Sequence, residues 1–430
     1  MNRALLKHPK DQITEIIKRI YVAGLTTTSG GNISIKDSEG NIWLTPSAID
    51  KGSLGRKDII CVKPDGEIIG LHKPSSELPF HKAIYDARPD IKSVIHAHPP
   101  ALVSFSIVRK KPNTNIIPQA KNICGPIGYA EYALPGEMEL GDKIGEQFKL
   151  GYNSVIMENH GAVIGGTDIK DAYIRFEAFE FSARTIIGAS TVGHVNYLSD
   201  DQIAQFENSI PQDIPDMKSV EHPSEELAIR TNISEFVRRA CDQGLMISSY
   251  GTVSVRWYDN NFLITPRNIP RPEIENEDIV QIRDGEKEPG KLPSTALNLI
   301  EQIYKENPEV NSIILTQSPN VMAFGVSDAK LEVRTIPESW VFLQNIPMVP
   351  FGKQFAGNHT IPRLISKNTP SVIVQNDSII VTGDNLLHTF DRLEVAEFNA
   401  KSLIMGKPLG DLIPINDKQI EDLRKKYLSD

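Results

Sequence analysis

The apolar positions along the chain follow two periods. Ile13, Ile16, Ile17 and Ile20 are spaced i, i+3, i+4, i+7, which predicts one apolar helix face. Ile233, Phe236, Val237 and Ala240 repeat that spacing 220 positions later. Shorter runs between them are β-rich: NISIK from Asn32, NIWLTP from Asn41, DIICV from Asp58, KSVIHAH from Lys92 and NSVIME from Asn153. A further helix is expected to begin near Ser75, and another to run from about Lys170 to Ile187. Strands and helices in this mixture predict a layered α/β domain.

The same pattern occurs twice. Arg19 matches Arg239, Gly24 matches Gly244, Leu25 matches Leu245 and Ser34 matches Ser254, each 220 positions apart. One deletion moves the offset to 219, where Pro74-Ser75 matches Pro293-Ser294 and Tyr85 matches Tyr304. Beyond a loop change the offset is 217: Asn159 matches Asn376, Arg175 matches Arg392 and Glu180-Phe181 matches Glu397-Phe398. A register held through two small shifts is a duplication. The expected organisation is a first copy over 1–208, a Pro- and charge-rich linker over 209–222, and a second copy over 223–430. A length of 430 residues fits, since roughly 150 residues per domain allows two or three.

Charge then narrows the partners. The 46 basic and 55 acidic residues leave a net charge of −9, which argues against a general nucleic-acid surface. No run reaches the roughly 18 apolar residues of a membrane span, and the charged N-terminal segment lacks a secretory h-region. Cys61, Cys124 and Cys241 are scattered, with neither a metal-type pair nor a disulfide framework, so a reducing cytoplasm is expected.

The chemistry sits in the first copy. His96 and His98 are two apart on an apolar strand and so share a face. They are either a solvated pair or two ligands of one metal. His160, in MENHG where a strand meets a turn, offers a third imidazole. Three histidines leave a coordination position open for substrate, as in catalytic zinc sites. His72 and His81 read as surface or supporting residues. In Lys73-Pro74-Ser75-Ser76-Glu77, a serine N-cap with Glu in the first turn accounts for part of the pattern. The functional reading is a helix N-terminus that binds an anion, with Glu77 as a general base beside a metal. Ser29-Gly30-Gly31-Asn32 and Thr45-Pro46-Ser47-Ala48 are either hairpin turns or close approaches of backbone N–H groups to an anion.

Together, GGNIS from Gly30, TPS from Thr45, PSSE from Pro74, HAH from His96 and NHG from Asn159 resemble the class II aldolase/adducin family, over nearly all of the first copy and in degenerate form in the second. The resemblance implies an αβα three-layer sandwich with a mainly antiparallel central sheet, in two tandem copies. It implies one zinc-type divalent ion per chain on His96, His98 and His160. Gly31, Asn32, Ser47, Ser75 and Ser76 take the phosphate-binding positions, and Glu77 takes the acid/base position. The implied activity is that of a metal-dependent aldehyde-lyase cleaving a small, phosphorylated ketose through a metal-stabilised enediolate. A phosphosugar epimerase or dehydratase would use the same chemistry. A non-catalytic, adducin-like assembly protein is the alternative from another class.

Two positions depart from that pattern. Ala48 stands where the family's TPSG turn has Gly, so its methyl group is expected to crowd a phosphate or force a different turn. Asn122 falls near the position of the tyrosine that aldolases use as the acid for the leaving alkoxide; Tyr129 and Tyr132 are nearby but unmatched. The second copy has lost the chemistry: Glu77 becomes Ala296, His96 becomes Leu315, His98 becomes Gln317, His160 becomes Asp377, Asn32 becomes Thr252 and Ser47 becomes Arg267. Since the family resembles rings of four, two fused copies per chain predict a pseudo-fourfold homodimer with two metal sites. The expected partner is a small sugar phosphate or hydroxy-carbonyl compound, with no nucleic acid and no membrane.

Overall fold

A computed structural model describes residues 7–210, 214–259 and 261–428. The middle of the expected linker, 211–213, lies outside the described residues. By packing, the described residues divide into two compact units, one within 1–114 and 119–184 and the other within 115–118 and 185–430.

Each copy is built on an eight-stranded sheet. In the first copy the strands are β1 (Asn32–Lys36), β2 (Ile42–Leu44), β3 (Ile60–Val62), β4 (Ile68–Ile69), β5 (Ser93–Ala97), β6 (Ile127–Ala130), β7 (Ser154–Met157) and β8 (Gly161–Gly166). In the second they are β9 (Thr252–Tyr258), β10 (Asn261–Ile264), β11 (Val280–Arg283), β12 (Glu286–Lys287), β13 (Ser312–Thr316), β14 (Met348–Val349), β15 (Ser371–Val374) and β16 (Ser378–Gly383). The order β4-β3-β2-β1-β5-β8-β7-β6 recurs as β12-β11-β10-β9-β13-β16-β15-β14. All pairings are antiparallel except β6–β7 and its counterpart β14–β15. The sheets are thus mainly antiparallel, in two copies of one α/β domain.

Side-chain alternation along the strands explains the layers. In the second copy Phe262, Ile264, Ile313 and Leu315 pack with the helix Leu297–Glu306, while Leu263 and Ile314 pack with the helices Ser224–Asp242 and Leu386–Gly406 on the other face. In the first copy Val94, Val155, Met157 and Val163 pack against Phe80, Ile84, Ile144 and Phe148, which belong to the helices Leu78–Ala87 and Met138–Lys149. The predicted N-terminal face of Ile13, Ile16, Ile17 and Ile20 is buried on the helix Pro9–Val22. Among the described residues no helix is long and apolar enough to cross a membrane.

One element starts later than the sequence suggests. The helix expected from Ser75 begins at Leu78, with Glu77 as its N-cap residue and no side-chain cap. Ser75 still serves the turn, since its Oγ accepts from the Glu77 N–H at 3.3 Å. The Glu77 backbone, at φ −92° and ψ 9°, lies in the sparsely populated bridge region. Its carboxylate is thereby turned away from the helix end and towards the histidines.

Candidate metal centre

β5 carries His96 in line with Val94, so its ring points to the face packed by Phe80, whose ring meets it edge-on at 5.5 Å. His98 lies one residue beyond the strand. The two rings lie 4.7 Å apart, with their Nε2 atoms 3.0 Å apart. His160 follows β7 through a turn in which Asn159 has φ 52°. Its backbone N–H donates to Ser106 Oγ at 3.0 Å, which ties the turn to the helix Pro100–Ile107. One nitrogen from each of the three rings lies within 4.8 Å of the other two. Among the described residues the second copy has no such group.

The donor set suits a divalent metal. His96 Nδ1 faces the Ala162 carbonyl oxygen at 2.9 Å, which can only accept, so the proton sits on Nδ1 and the Nε2 lone pair is left for a ligand. Burial, reinforced by the neighbouring His98, lowers the His96 pKa to about 3. Burial and then His96 lower that of His160 to about 4, and burial also lowers that of His98. Three neutral imidazoles are what a zinc-type ion requires. Gly161 makes room for them: a Cβ there would lie 2.8 Å from the His98 ring and 2.7 Å from the Ala97 carbonyl oxygen.

Glu77 joins this group. Its Oε2 lies 3.3 Å from His96 Nε2, its Oε1 3.4 Å from His160 Nε2, and Oε2 accepts from Asn32 Nδ2 at 2.6 Å. Gly31 has φ 71°, and a Cβ there would come within 2.7 Å of the His96 carbonyl oxygen. The Thr-Pro-Ser and Pro-Ser-Ser turns are drawn together by a bridge between Pro46 and Pro74, and the Ser47 N–H donates to the Lys73 carbonyl at 3.0 Å. Ser75 is buried, Ser47 half-buried and Ser76 exposed.

One residue escaped the sequence reading. Lys51 is 3% exposed, donates from Nζ to the Pro46 carbonyl at 3.0 Å, and is tied by its backbone N–H to Thr28 at 2.9 Å. Burial pulls its ammonium below the usual lysine value, against attraction from Asp50 and Glu77. Arg271, the matching residue 220 positions on, is also buried, and that paired cation was the available signal. Of the two readings of His81, surface or supporting, the structure takes the second: it is fully buried, and its Nε2 bonds to Asn32 Oδ1. Its place one helical turn after Glu77 was the clue. His72 is half-buried and faces Asp58 at 3.0 Å.

Ala48 keeps the glycine-type turn rather than a different one: its φ is 56° and its side chain is exposed. Asn268, its counterpart, has φ 64°. A left-handed alanine costs roughly 1–2 kcal/mol, partly offset by the freedom glycine adds to the unfolded chain. Ala48→Gly is therefore expected to stabilise the protein by up to about 1 kcal/mol, roughly 2–4 °C in Tm. A lower melting temperature would contradict this.

The second copy keeps the frame without the three histidines or the glutamate. Ala296 retains the N-cap geometry of Glu77, at φ −81° and ψ 4°, and Asn376 retains the φ of Asn159. Asp377, at the His160 position, accepts from Ser378 Oγ at 2.7 Å, and Gln317 Nε2 donates to the Asp377 carbonyl at 3.0 Å. Burial raises the Asp377 pKa to about 6. In the unfolded chain it titrates near 3.9, so the folded protein holds this proton more tightly. The stability it contributes is complete below the unfolded pKa and is lost as pH rises through 6. Asp377→Asn should gain about 3 kcal/mol at pH 8 and almost nothing at pH 4. Thermal melts of both proteins at the two pH values test this, and equal gains would refute it.

The class II aldolase and adducin N-terminal domain family matches residues 11–187 and again 231–404. An L-fuculose phosphate aldolase of Methanococcus maripaludis is 38% identical over 176 residues, 39% of this chain and 92% of the relative. A 3-oxo-tetronate 4-phosphate decarboxylase of Haemophilus influenzae is 26% identical over 206 residues, 46% of this chain and 96% of the relative. A solved L-fuculose 1-phosphate aldolase structure is 28% identical with a TM-score of 0.43, covering 46% of this chain and 93% of that one. The chain belongs to the class II aldolase and adducin N-terminal domain family, as a tandem duplication of that domain.

Proposed function

We propose that this protein is a metal-dependent aldehyde-lyase that cleaves a small phosphorylated ketose, with its chemistry confined to the first copy. The observation that carries this reading is the Glu77 carboxylate held 3.3 and 3.4 Å from two imidazole nitrogens of the histidine cluster. His96, His98 and His160 would hold one zinc-type ion per chain. Such an ion supplies Lewis-acid stabilisation of negative charge developing on substrate oxygens.

The remaining steps fall to side chains. Glu77 takes the proton from the carbon that becomes the nucleophile in the synthetic direction, and returns it to that carbon after cleavage. The Gly31, Ser47, Ser75 and Ser76 positions bind the phosphate, an anchor whose energy comes from a non-reacting group. Asn32 turns both ends of its amide to protein groups, so its side chain supports Glu77 instead of the anion. Lys51 supplies the positive charge that the hydroxyls lack. Lys51→Met is expected to raise KM for a phosphorylated substrate by about tenfold or more, with kcat changed little. Steady-state kinetics decide this, and an unchanged KM would remove Lys51 from the role.

A second reading rests on Asn122, which is exposed where an alkoxide acid is expected. Decarboxylation of a phosphorylated 3-oxo acid generates the same kind of carbanion and needs no such acid. The doubled chain is proposed to form a pseudo-fourfold homodimer, testable by light scattering. Its three cysteines form no disulfide, which suits a reducing compartment such as the cytoplasm.

The test is to load the purified protein with zinc and follow aldehyde release from a panel of ketose 1-phosphates. Aldehyde release supports the lyase. An epimerised or dehydrated product without aldehyde would replace it with the isomerase-type alternative. Failure to bind zinc would leave an assembly role.

A further inference from the structure

A buried hydrogen-bond chain runs from Glu77 into the protein. Asn32 Nδ2 donates to Glu77 Oε2 at 2.6 Å, and Asn32 Oδ1 faces His81 Nε2. His81 Nδ1 lies 2.7 Å from Ser34 Oγ, which lies 2.6 Å from the Tyr85 hydroxyl. Asn32 is 3% exposed, Tyr85 1%, and Ser34 and His81 are fully buried.

Every direction in the chain is forced from the carboxylate. An ionised carboxylate only accepts, so Asn32 must present its NH2 to Glu77. Its carbonyl oxygen then needs a donor, which places the His81 proton on Nε2. Burial, and then the nearby His96, keep His81 neutral, so Nδ1 accepts from the Ser34 hydroxyl. Ser34 in turn accepts from Tyr85. All the donors point towards Glu77, an arrangement in which each bond polarises the next.

The second copy shows which links the fold itself needs. Tyr304 still donates to Ser254 Oγ, at 3.1 Å. His81, Asn32 and Glu77 are replaced there by Ile300, Thr252 and Ala296. Ile300 is fully buried at the same helix position, so an isoleucine satisfies the packing. The links nearest the carboxylate have disappeared together with the histidine cluster.

We propose that His81 is a positioning residue: it fixes the Asn32 amide with its NH2 towards Glu77 and so holds that carboxylate against the histidine cluster. The proposal rests on the reading of Glu77 as the acid/base. Its test therefore includes readouts that need no turnover.

In the metal-free protein at pH 7.5, 15N-histidine NMR should show His81 as the Nε2–H tautomer. His81→Ile, the second copy's solution, should fold, bind zinc with wild-type affinity, and exchange its Asn32 side-chain amide protons about tenfold faster or more. Its kcat should fall about 10- to 100-fold with KM unchanged, and His81→Gln, which keeps an Nε2 donor, should recover most of it. If H81I does not fold, Ser34→Ala removes the donor to Nδ1 and should show the same changes in milder form. An Nδ1–H tautomer, unchanged Asn32 exchange, or an equal loss of zinc affinity would overturn the proposal. The expected NMR results without turnover of any substrate would support the positioning role and count against the lyase reading alone.

Discussion

Glu77→Gln is expected to leave zinc binding intact and to cut kcat by about 10²–10⁴-fold, the range supplied by a positioned acid or base. The substitution keeps size and shape. Its amide oxygen can still accept from Asn32, so the bond at 2.6 Å has a replacement acceptor. What disappears is the ability to take and return a proton. The histidine cluster does not depend on the carboxylate for its tautomers, since His96 is oriented by the Ala162 carbonyl. KM should therefore move little, and zinc affinity should stay within a few-fold. Kinetics at saturating zinc, with a chelator competition on the same sample, separate the two effects. Full turnover in the variant would remove Glu77 from the base role.

His98→Ala should have the largest effect on metal. It leaves two of the three nitrogens that lie within 4.8 Å of one another, with only the Glu77 carboxylate close beside them. Loss of a partner that merely orients a ligand costs roughly 10–100-fold in affinity. Loss of a ligand should exceed that, so binding should weaken by more than about 100-fold and turnover should vanish with it. The fold should survive, because His98 lies beyond the end of β5 and outside the apolar cluster of Phe80, Ile84 and Phe148. Circular dichroism alongside zinc titration tests this. Wild-type zinc affinity would exclude His98 as a ligand.

Much of this was legible in the sequence for identifiable reasons. The duplication was readable because register survives where chemistry does not: Ala296 and Asn376 hold the backbone angles of Glu77 and Asn159 without their neighbours' functions. The closeness of the three histidines was readable because strand alternation puts residues 94 and 96 on one side, His98 follows just past the strand end, and another strand end brings His160 across from β7. Pairwise geometry within turns was hidden. Nothing local shows that Glu77 turns from its helix to the imidazoles, that Asn32 is committed to Glu77 and His81, or that Lys51 lies buried beside Pro46. These depend on contacts 45 to 49 positions apart, or on a loop folding back on itself. Short strands such as β4, two residues long with both isoleucines exposed, carry too little pattern to be read in advance.

The most direct test is metal stoichiometry. Equilibrium dialysis of the full chain against zinc, followed by elemental analysis, should give one ion per chain. It should also give one for a protein carrying Asp377→Asn and none for His98→Ala. Two ions per chain, or one that persists in His98→Ala, would contradict a metal centre confined to the first copy.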